Sequence, residues 1–423
     1  MKIVVLGGGL AGCTSAYLLK QQGHDVVVFE EKEEIGGVCQ TNDFGGIFHE
    51  FGPHLLYAEG KIKKFFEKHL INREFKVFPK ASVSGRIDEF YDFPLSLETV
   101  THLPDEIRYK ALDELYKLNF DSPDHSNFES YMISRMGKTL YDLFAKTYNK
   151  KQWGMPAASL DANWAKFRPF EISQRSKSRF GDKWQGHPGT YRTFFENITK
   201  GIEIKKAHVE KIVIDRKRAN GIQFAENGKT EIMEADFVVS TLPLDKMISS
   251  KKSLAYRNTL KVFALLDTPE VLPTMWLTFP NHNDFLRVFE YKKQSQQKHK
   301  NTLLSFSFQY FDDEDIEKQS MDEVMRFLDA NISSEVIDSK MEAWDKTYPL
   351  PTLENEKAFS FLLQESSVID NFVTVGRQGL FAYISMDTCV GQCMSVVDNL
   401  EKFISGSQDE RMQVYASMRR VMS

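Results

Sequence analysis

The chain is short of cysteine, of charge of one sign and of long apolar runs, and each shortage removes a class of function. Four cysteines among 423 residues, Cys13, Cys39, Cys389 and Cys393, form no CxxC pair and no His/Cys metal spacing. They read as reduced thiols, with neither a disulfide framework nor a bound metal, and Cys13 as a small packing residue. A formal net charge of -5 without a long basic run argues against nucleic acid as the main partner. No apolar stretch approaches the length of an integral membrane segment. Repeats and low-complexity segments are also missing. What remains is a globular composition, 42% hydrophobic with 33 phenylalanines, enough for a large core spread over two or three substructures.

The first dozen residues carry the strongest signal. An apolar strand, Lys2 to Leu6, runs into Gly7-Gly-Gly9-Leu10-Ala11-Gly12 and then a helix predicted over Cys13 to Gln22. Gly7 permits a tight turn, Gly9 lets backbone approach a pyrophosphate, and Gly12 lets helix pack on strand; Leu10 and Ala11 complete the cradle. A second buried strand, Asp25 to Glu30, ends in an acid placed to accept hydrogen bonds from a ribose diol. The glycine pair Gly36-Gly37 just beyond favours FAD over NAD, because NAD dehydrogenases usually continue directly into a helix there. The chain starts at the motif with no apolar leader, so a cytoplasmic protein without signal peptide or anchor is expected.

The expected fold class is α/β, an FAD-binding Rossmann-like domain with an inserted helical domain and an antiparallel β-sheet domain. Residues 1–75 form its first part, and Phe44 to His54 reads as a loop over a ligand. Residues 76–165 form the helical insertion, with helical spacing in Tyr109 to Leu118 and Thr139 to Tyr148. A connection, 166–200, lines the site. Strands return in 201–250, around turns at Arg218-Ala-Asn-Gly and Glu226-Asn-Gly. Residues 251–345 carry an antiparallel sheet, Leu260 to Leu266, Met275 to Thr278, Phe285 to Tyr291 and Leu303 to Tyr310, then a helix around Met321 to Ile332. The dinucleotide domain closes in 346–405, with strand Phe372 to Gly376 and a helix from about Cys389 to Ile404. A polar tail, 406–423, is expected to fray.

Several pieces now share one order. Phe51-Gly-Pro-His54, Tyr148-Asn-Lys-Lys-Gln152-Trp153-Gly154, Lys183-Trp184-Gln185-Gly186-His-Pro188, Leu286-Arg287-Val-Phe-Glu290, Thr347-Tyr348-Pro349 and Gly376-Arg377 to Tyr383 with Met386-Asp387 occur in sequence. From Lys2 to about Leu400 the chain resembles the UDP-galactopyranose mutases. The resemblance implies FAD, active when reduced, whose N5 attacks the anomeric carbon of a nucleotide sugar; the diphosphate leaves, the ring opens and recloses in the other size, and no net redox occurs. It implies an isomerase for surface polysaccharide synthesis, with a nucleotide-sugar substrate. Mutases of this type are often homodimers, although no interface is readable here.

By the same resemblance Arg287 holds the departing diphosphate, a role suited to a guanidinium fork. As bare sequence it could instead pair with Glu290 on a strand surface. A second diphosphate arginine is either Arg168 or Arg175. Trp153 matches a tryptophan beside the base and sugar, Trp184 stands where the family has a phosphate-binding tyrosine, and Tyr348 and Tyr383 match two tyrosines that clamp the diphosphate. His54 matches a histidine against the flavin ring, and Arg377 an arginine beside flavin and substrate; Gly376 and Met386 flank the same cofactor end. His187 could act as a base by residue type alone.

Departures accompany these matches. Ser385 replaces an aspartate two residues past Tyr383, Phe381 replaces a tyrosine, and the glycine pair before Tyr191 is reduced to Gly189-Thr190. Either the substrate is another nucleotide sugar, such as a deoxy, acetamido or heptose form, or the chain has left mutase chemistry. The competing readings are an amine oxidase or desaturase passing hydride to oxidised flavin, and a non-catalytic flavoprotein.

Overall fold

A computed structural model describes residues 1–70, 73–74, 80–163, 172–174, 184–187, 189–226, 228–248 and 250–420. Its first layer follows from the buried β-branched runs. Lys2–Leu6 lies at the centre of a five-stranded parallel sheet, between Asp25–Glu30 and Phe237–Ser240, with Glu203–Lys206 and Phe372–Thr374 at the edges. Strands covered on both faces need continuous apolar sequence, and Ile3, Val4, Val5 and Leu6 are fully buried. Each contributes about 1.5–3 kcal/mol by leaving water.

Helix Leu10–Gln21 begins directly at Gly9, whose extended backbone ends the turn. The predicted start at Cys13 is therefore late by most of a turn, because Gly12, the last glycine of the cradle, already lies within the first helical residues. The strand Arg218–Glu226 also overrides a predicted turn. The reversal comes earlier, at Arg216 and Lys217, both with positive φ, and Arg218 already pairs with Asp215 in the antiparallel sheet His208–Asp215, Arg218–Glu226, Lys229–Glu234.

The helical unit contains Leu97–Thr101, Asp105–Lys117, Phe128–Phe144 and Lys146–Trp153. Gly137, with φ 77°, kinks the third of these, and Glu114 receives the Thr139 backbone N–H at 2.7 Å where the helix resumes. Lys151 fastens this unit to the sheet: its half-buried ammonium donates to the carbonyls of Phe279, His282, Asn283 and Phe285.

The third layer is a seven-stranded sheet in the order Val336–Pro349, Tyr256–Leu266, Thr302–Tyr310, Arg287–Glu290, Trp276–Thr278, Lys80–Ala81, Tyr91–Asp92. Alternation divides its faces. Leu260, Val262, Ala264, Val288, Leu304, Phe306 and Phe308 point to one side and pack with Phe327 and Leu328 of helix Glu317–Asn331. Thr259, Lys261, Arg287, Ser307 and Gln309 point to the other. The predicted strand Phe285 to Tyr291 is shorter than expected, since Tyr291 opens a one-turn helix, Tyr291–Ser295.

Among the described residues the C-terminal segment does not fray. Gln408–Arg420 is a helix that buries Val414, Tyr415 and Met418 in the dinucleotide-domain core, and the Thr374 backbone N–H donates to the Tyr415 hydroxyl at 3.2 Å. Its charged outer face concealed the apolar residues at helical spacing. No helix among the described residues is long and apolar enough to cross a membrane.

Candidate functional site

The glycine cradle is closed to side chains at Gly7 and Gly12. A Cβ on Gly12 would stand 1.8 Å from the Gly7 carbonyl oxygen, a distance no substitution survives without moving backbone. Gly36, at φ 115°, donates its N–H to the Gly8 carbonyl at 2.8 Å, so the two glycine turns meet edge to edge. Glu30 closes the other end. Its carboxylate receives the N–H groups of Gly8 at 2.6 Å and Lys32 at 2.9 Å.

From this cradle a groove runs past Gly7, Gly9, Glu30, Gly37 and Trp344, then past Leu10, Ala11, Gly376, Arg377 and Met386 to His54. Gln378 lines it with a buried side-chain oxygen that has no hydrogen-bond partner among the described residues. A long, flat polyphosphate cofactor fits these features: a phosphate turn without side chains, an acid for a ribose, and an unmatched acceptor along the path. The residues present are thus compatible with FAD. Burial above all, and then the neighbouring Arg377 guanidinium, pushes His54 down to about 3, so its imidazole is neutral.

A second pocket shares the His54, Arg377, Ser385 and Met386 wall and opens onto the polar face of the large sheet. Tyr348 and Tyr383 stack there, with ring centroids 4.9 Å apart, and the Arg377 guanidinium lies 5.3 and 5.4 Å from them. Arg377 is oriented by the carbonyls of Ile384 at 2.8 Å and Thr347 at 3.4 Å. Burial and neighbouring Tyr383 push the Tyr348 phenol up to about 12, against Arg287 and Arg377, so it remains a donor. Ser385 precedes helix Met386–Asp398 and shares a hydrogen bond of 3.0 Å with the Thr388 hydroxyl.

Arg287 enters from the sheet, its guanidinium 5.6 Å from the Trp276 ring. Its Nε is buried without a partner among the described residues. Burial opposes its charge, while the hydroxyls of Tyr148, Tyr348 and Tyr383 favour it and prevail. The pairing with Glu290 does not occur: three residues along a strand is the opposite face, and Glu290 instead accepts from Val271 N, Leu272 N and Thr302 Oγ1.

Trp153 is buried among the helical-unit core, edge-on to Tyr348 and Tyr383 at 6.5 and 6.2 Å, and stands behind the tyrosine pair. Trp184 lies in a short strand, Trp184–His187, paired with Leu56–Ala58; its side chain, and Arg168 and Arg175 altogether, lie outside the described residues. His187 receives the Gly189 N–H at Nδ1 and therefore donates through Nε2 to Glu50, 3.2 Å away. Both its nitrogens are engaged, one by the Gly189 backbone and one by the Glu50 carboxylate.

Sequence reasoning missed Lys261, Thr259, Ser307 and Gln309. The signal was present: in Thr259-Leu-Lys261-Val and in Ser305-Phe-Ser-Phe-Gln309, every second residue is polar within otherwise apolar stretches. Two facing strands with the same polar phase mark a wetted face. Among the described residues no group of His, Cys, Asp and Glu could hold a metal ion.

Comparison with known proteins bears on the family and the fold. Residues 5–69 match the model of an NAD(P)-binding Rossmann-like domain, and residues 143–383, more than half of the chain, match that of UDP-galactopyranose mutase. The dTDP-fucopyranose mutase of Escherichia coli is 27% identical over 231 residues, which is 50% of this chain and 59% of that protein. The match to a probable UDP-galactopyranose mutase of Klebsiella pneumoniae spans only 49% of that protein, at 28% identity and over 44% of this chain. The UDP-galactopyranose mutase of Mycoplasma pneumoniae is 22% identical, with 94% of this chain and 95% of that protein covered. A crystal structure of reduced UDP-galactopyranose mutase superposes with a TM-score of 0.82 at 18% identity, over 100% of this chain and 99% of that one, which extends the shared fold across the whole length. With the Rossmann cradle, the helical unit and the sheet-walled pocket arranged in that order, the chain belongs to the UDP-galactopyranose mutase family.

Proposed function

We propose that the protein is an FAD-dependent mutase that interconverts the pyranose and furanose forms of a nucleotide-activated sugar, and that it serves surface polysaccharide synthesis in the cytoplasm. The observation that carries the reading is the common wall of His54, Arg377, Ser385 and Met386, which lines both the dinucleotide groove and a pocket rich in cations and phenols. Bound in the groove, reduced FAD would supply N5 as the nucleophile for the anomeric carbon.

The chain's own residues then have defined tasks. Arg287 and the stacked Tyr348 and Tyr383 receive the charge that develops on the departing diphosphate, inside a pocket where few water molecules compete. Tyr348 donates from a phenol that stays protonated at every working pH. His54 presents a neutral ring, which adds no charge beside the flavin. Arg377, held by two carbonyls, keeps the wall in place. Ser385 contributes a hydroxyl where the family has an acid, which leaves the described pocket lining without a carboxylate. An oxidase or desaturase reading gains nothing from this wall, since guanidinium and ammonium groups repel an amine donor and waste desolvation on an apolar one.

The test uses the purified protein with its flavin reduced by dithionite under nitrogen, incubated with UDP-, dTDP- and GDP-sugars, with ring-size isomers sought by chromatography. Conversion that stops when the flavin is oxidised is the expected result. No conversion across the panel, with flavin bleached by an amine or another organic donor, would overturn it.

A further inference from the structure

The register of the large sheet sets four residues in one row across four strands. Glu342 pairs with Lys261, Lys261 with Ser307, and Ser307 with Arg287. Cross-strand partners project to the same side, so the row forms a floor under the pocket. Lys261 and Arg287 are separated by two strand spacings, roughly 10 Å at the backbone, and meet different parts of a ligand.

Of the three cations in the pocket lining, Arg287 stands beside the tyrosine pair and Arg377 is turned to two carbonyls. Lys261 has neither arrangement. It is 3% exposed, and among the described residues its one hydrogen bond is to the Ser307 hydroxyl, at 2.5 Å. Glu342, its neighbour in the row, gives its carboxylate to Lys340 at 2.5 Å instead. No Asp or Glu is among the described lining residues. A nearly buried ammonium on the same pocket floor as a guanidinium, with donors left over and no carboxylate hydrogen-bonded to it among the described residues, is an arrangement completed by an anion on the ligand.

We propose that Lys261 is a specificity-determining residue that pairs with a carboxylate on the sugar, so that the preferred substrate is a nucleoside-diphosphate uronic acid. The inference rests on the nucleotide-sugar reading above. Burial and Arg287 push the lysine down to about 7, against Glu342; an incoming carboxylate stabilises the charged form and raises it again. A neutral hydroxymethyl group in the same place leaves that charge unmatched, whereas the diphosphate, shared by all such donors, confers no preference between them.

The test is calorimetric binding to the flavin-loaded protein at pH 6. UDP, dTDP and GDP are titrated first; failure of all three would sink the nucleotide-sugar reading, and this inference with it. If UDP binds, UDP-galacturonate is compared with UDP-galactose. The acidic sugar is expected to bind at least about tenfold more tightly, and Lys261→Met to bring that ratio to about one. UDP itself serves as the control for folding, with Lys261→Gln as the second variant should Lys261→Met lose its cooperative melt. A ratio near one in the unmodified protein, or a ratio that survives the substitution, would overturn the proposal while leaving the nucleotide-sugar reading intact. An equal loss of UDP affinity would also overturn it and assign Lys261 to the diphosphate.

Discussion

One face of the seven-stranded sheet and the other are written in the same strands, one residue out of phase, and they obey opposite rules. Under helix Glu317–Asn331 the side chains are Leu, Val and Phe, with Phe306 edge-on to Phe285 and Phe327 at 5.2 and 5.7 Å. Over the pocket they are Thr259, Lys261, Ser307, Gln309 and Arg287, buried or half-buried, with the Arg287 Nε left unmatched among the described residues. The first face stabilises the domain. The second costs stability, because desolvated cations are held ready for a ligand that is absent from the folded chain alone.

That contrast can be broken from either side. Phe306→Ala should have the largest effect, a loss of about 3–5 kcal/mol in denaturant unfolding, with the KM of the surviving enzyme unchanged. Arg287→Met should do the reverse, lowering turnover about 100- to 1000-fold with no fall in the unfolding midpoint. A drop in midpoint comparable to that of Phe306→Ala would show the two faces to be alike. Tyr348→Phe should cost about tenfold in kcat/KM, one hydrogen bond to a charged group, with stacking on Tyr383 preserved.

The smallest effect is in the pH dependence of stability. Lys261 faces Arg287 and, across the row, Glu342, with His54 above it, and titrates at about 7 when folded against an ordinary 10.5. Between those values the unfolded chain binds the extra proton, so this group makes stability rise with pH from about 7 toward 10.5. Lys261→Met should flatten that part of the curve, as measured by unfolding midpoints across the range.

Much of this was legible in the chain. The cradle of Gly7, Gly9 and Gly12 and the strand ending at Glu30 follow from local chemistry, where short-range sterics dictate the answer. Four strands of the large sheet could also be read, although Lys80–Ala81 and Tyr91–Asp92 lay in the stretch expected to be helical, and which face meets a ligand depends on register between segments some 46 residues apart, such as Lys261 and Ser307. Val336–Pro349 escaped notice because a half-exposed edge strand carries Asp, Lys and Glu on its open side. Trp153 matched a pocket residue by motif, while its burial behind Tyr348 and Tyr383 is a property of helix packing that no linear pattern contains.

Lys151 gives the joint between helical unit and sheet its mechanical character. One ammonium group serves four carbonyls of the segment from Phe279 to Phe285, which leads within two residues to Arg287. Swinging the helices away would strip all four acceptors of a charged donor in a single motion, so the joint behaves as a rivet rather than a hinge. The arginine's position is thereby clamped to the tryptophan two residues beyond the lysine.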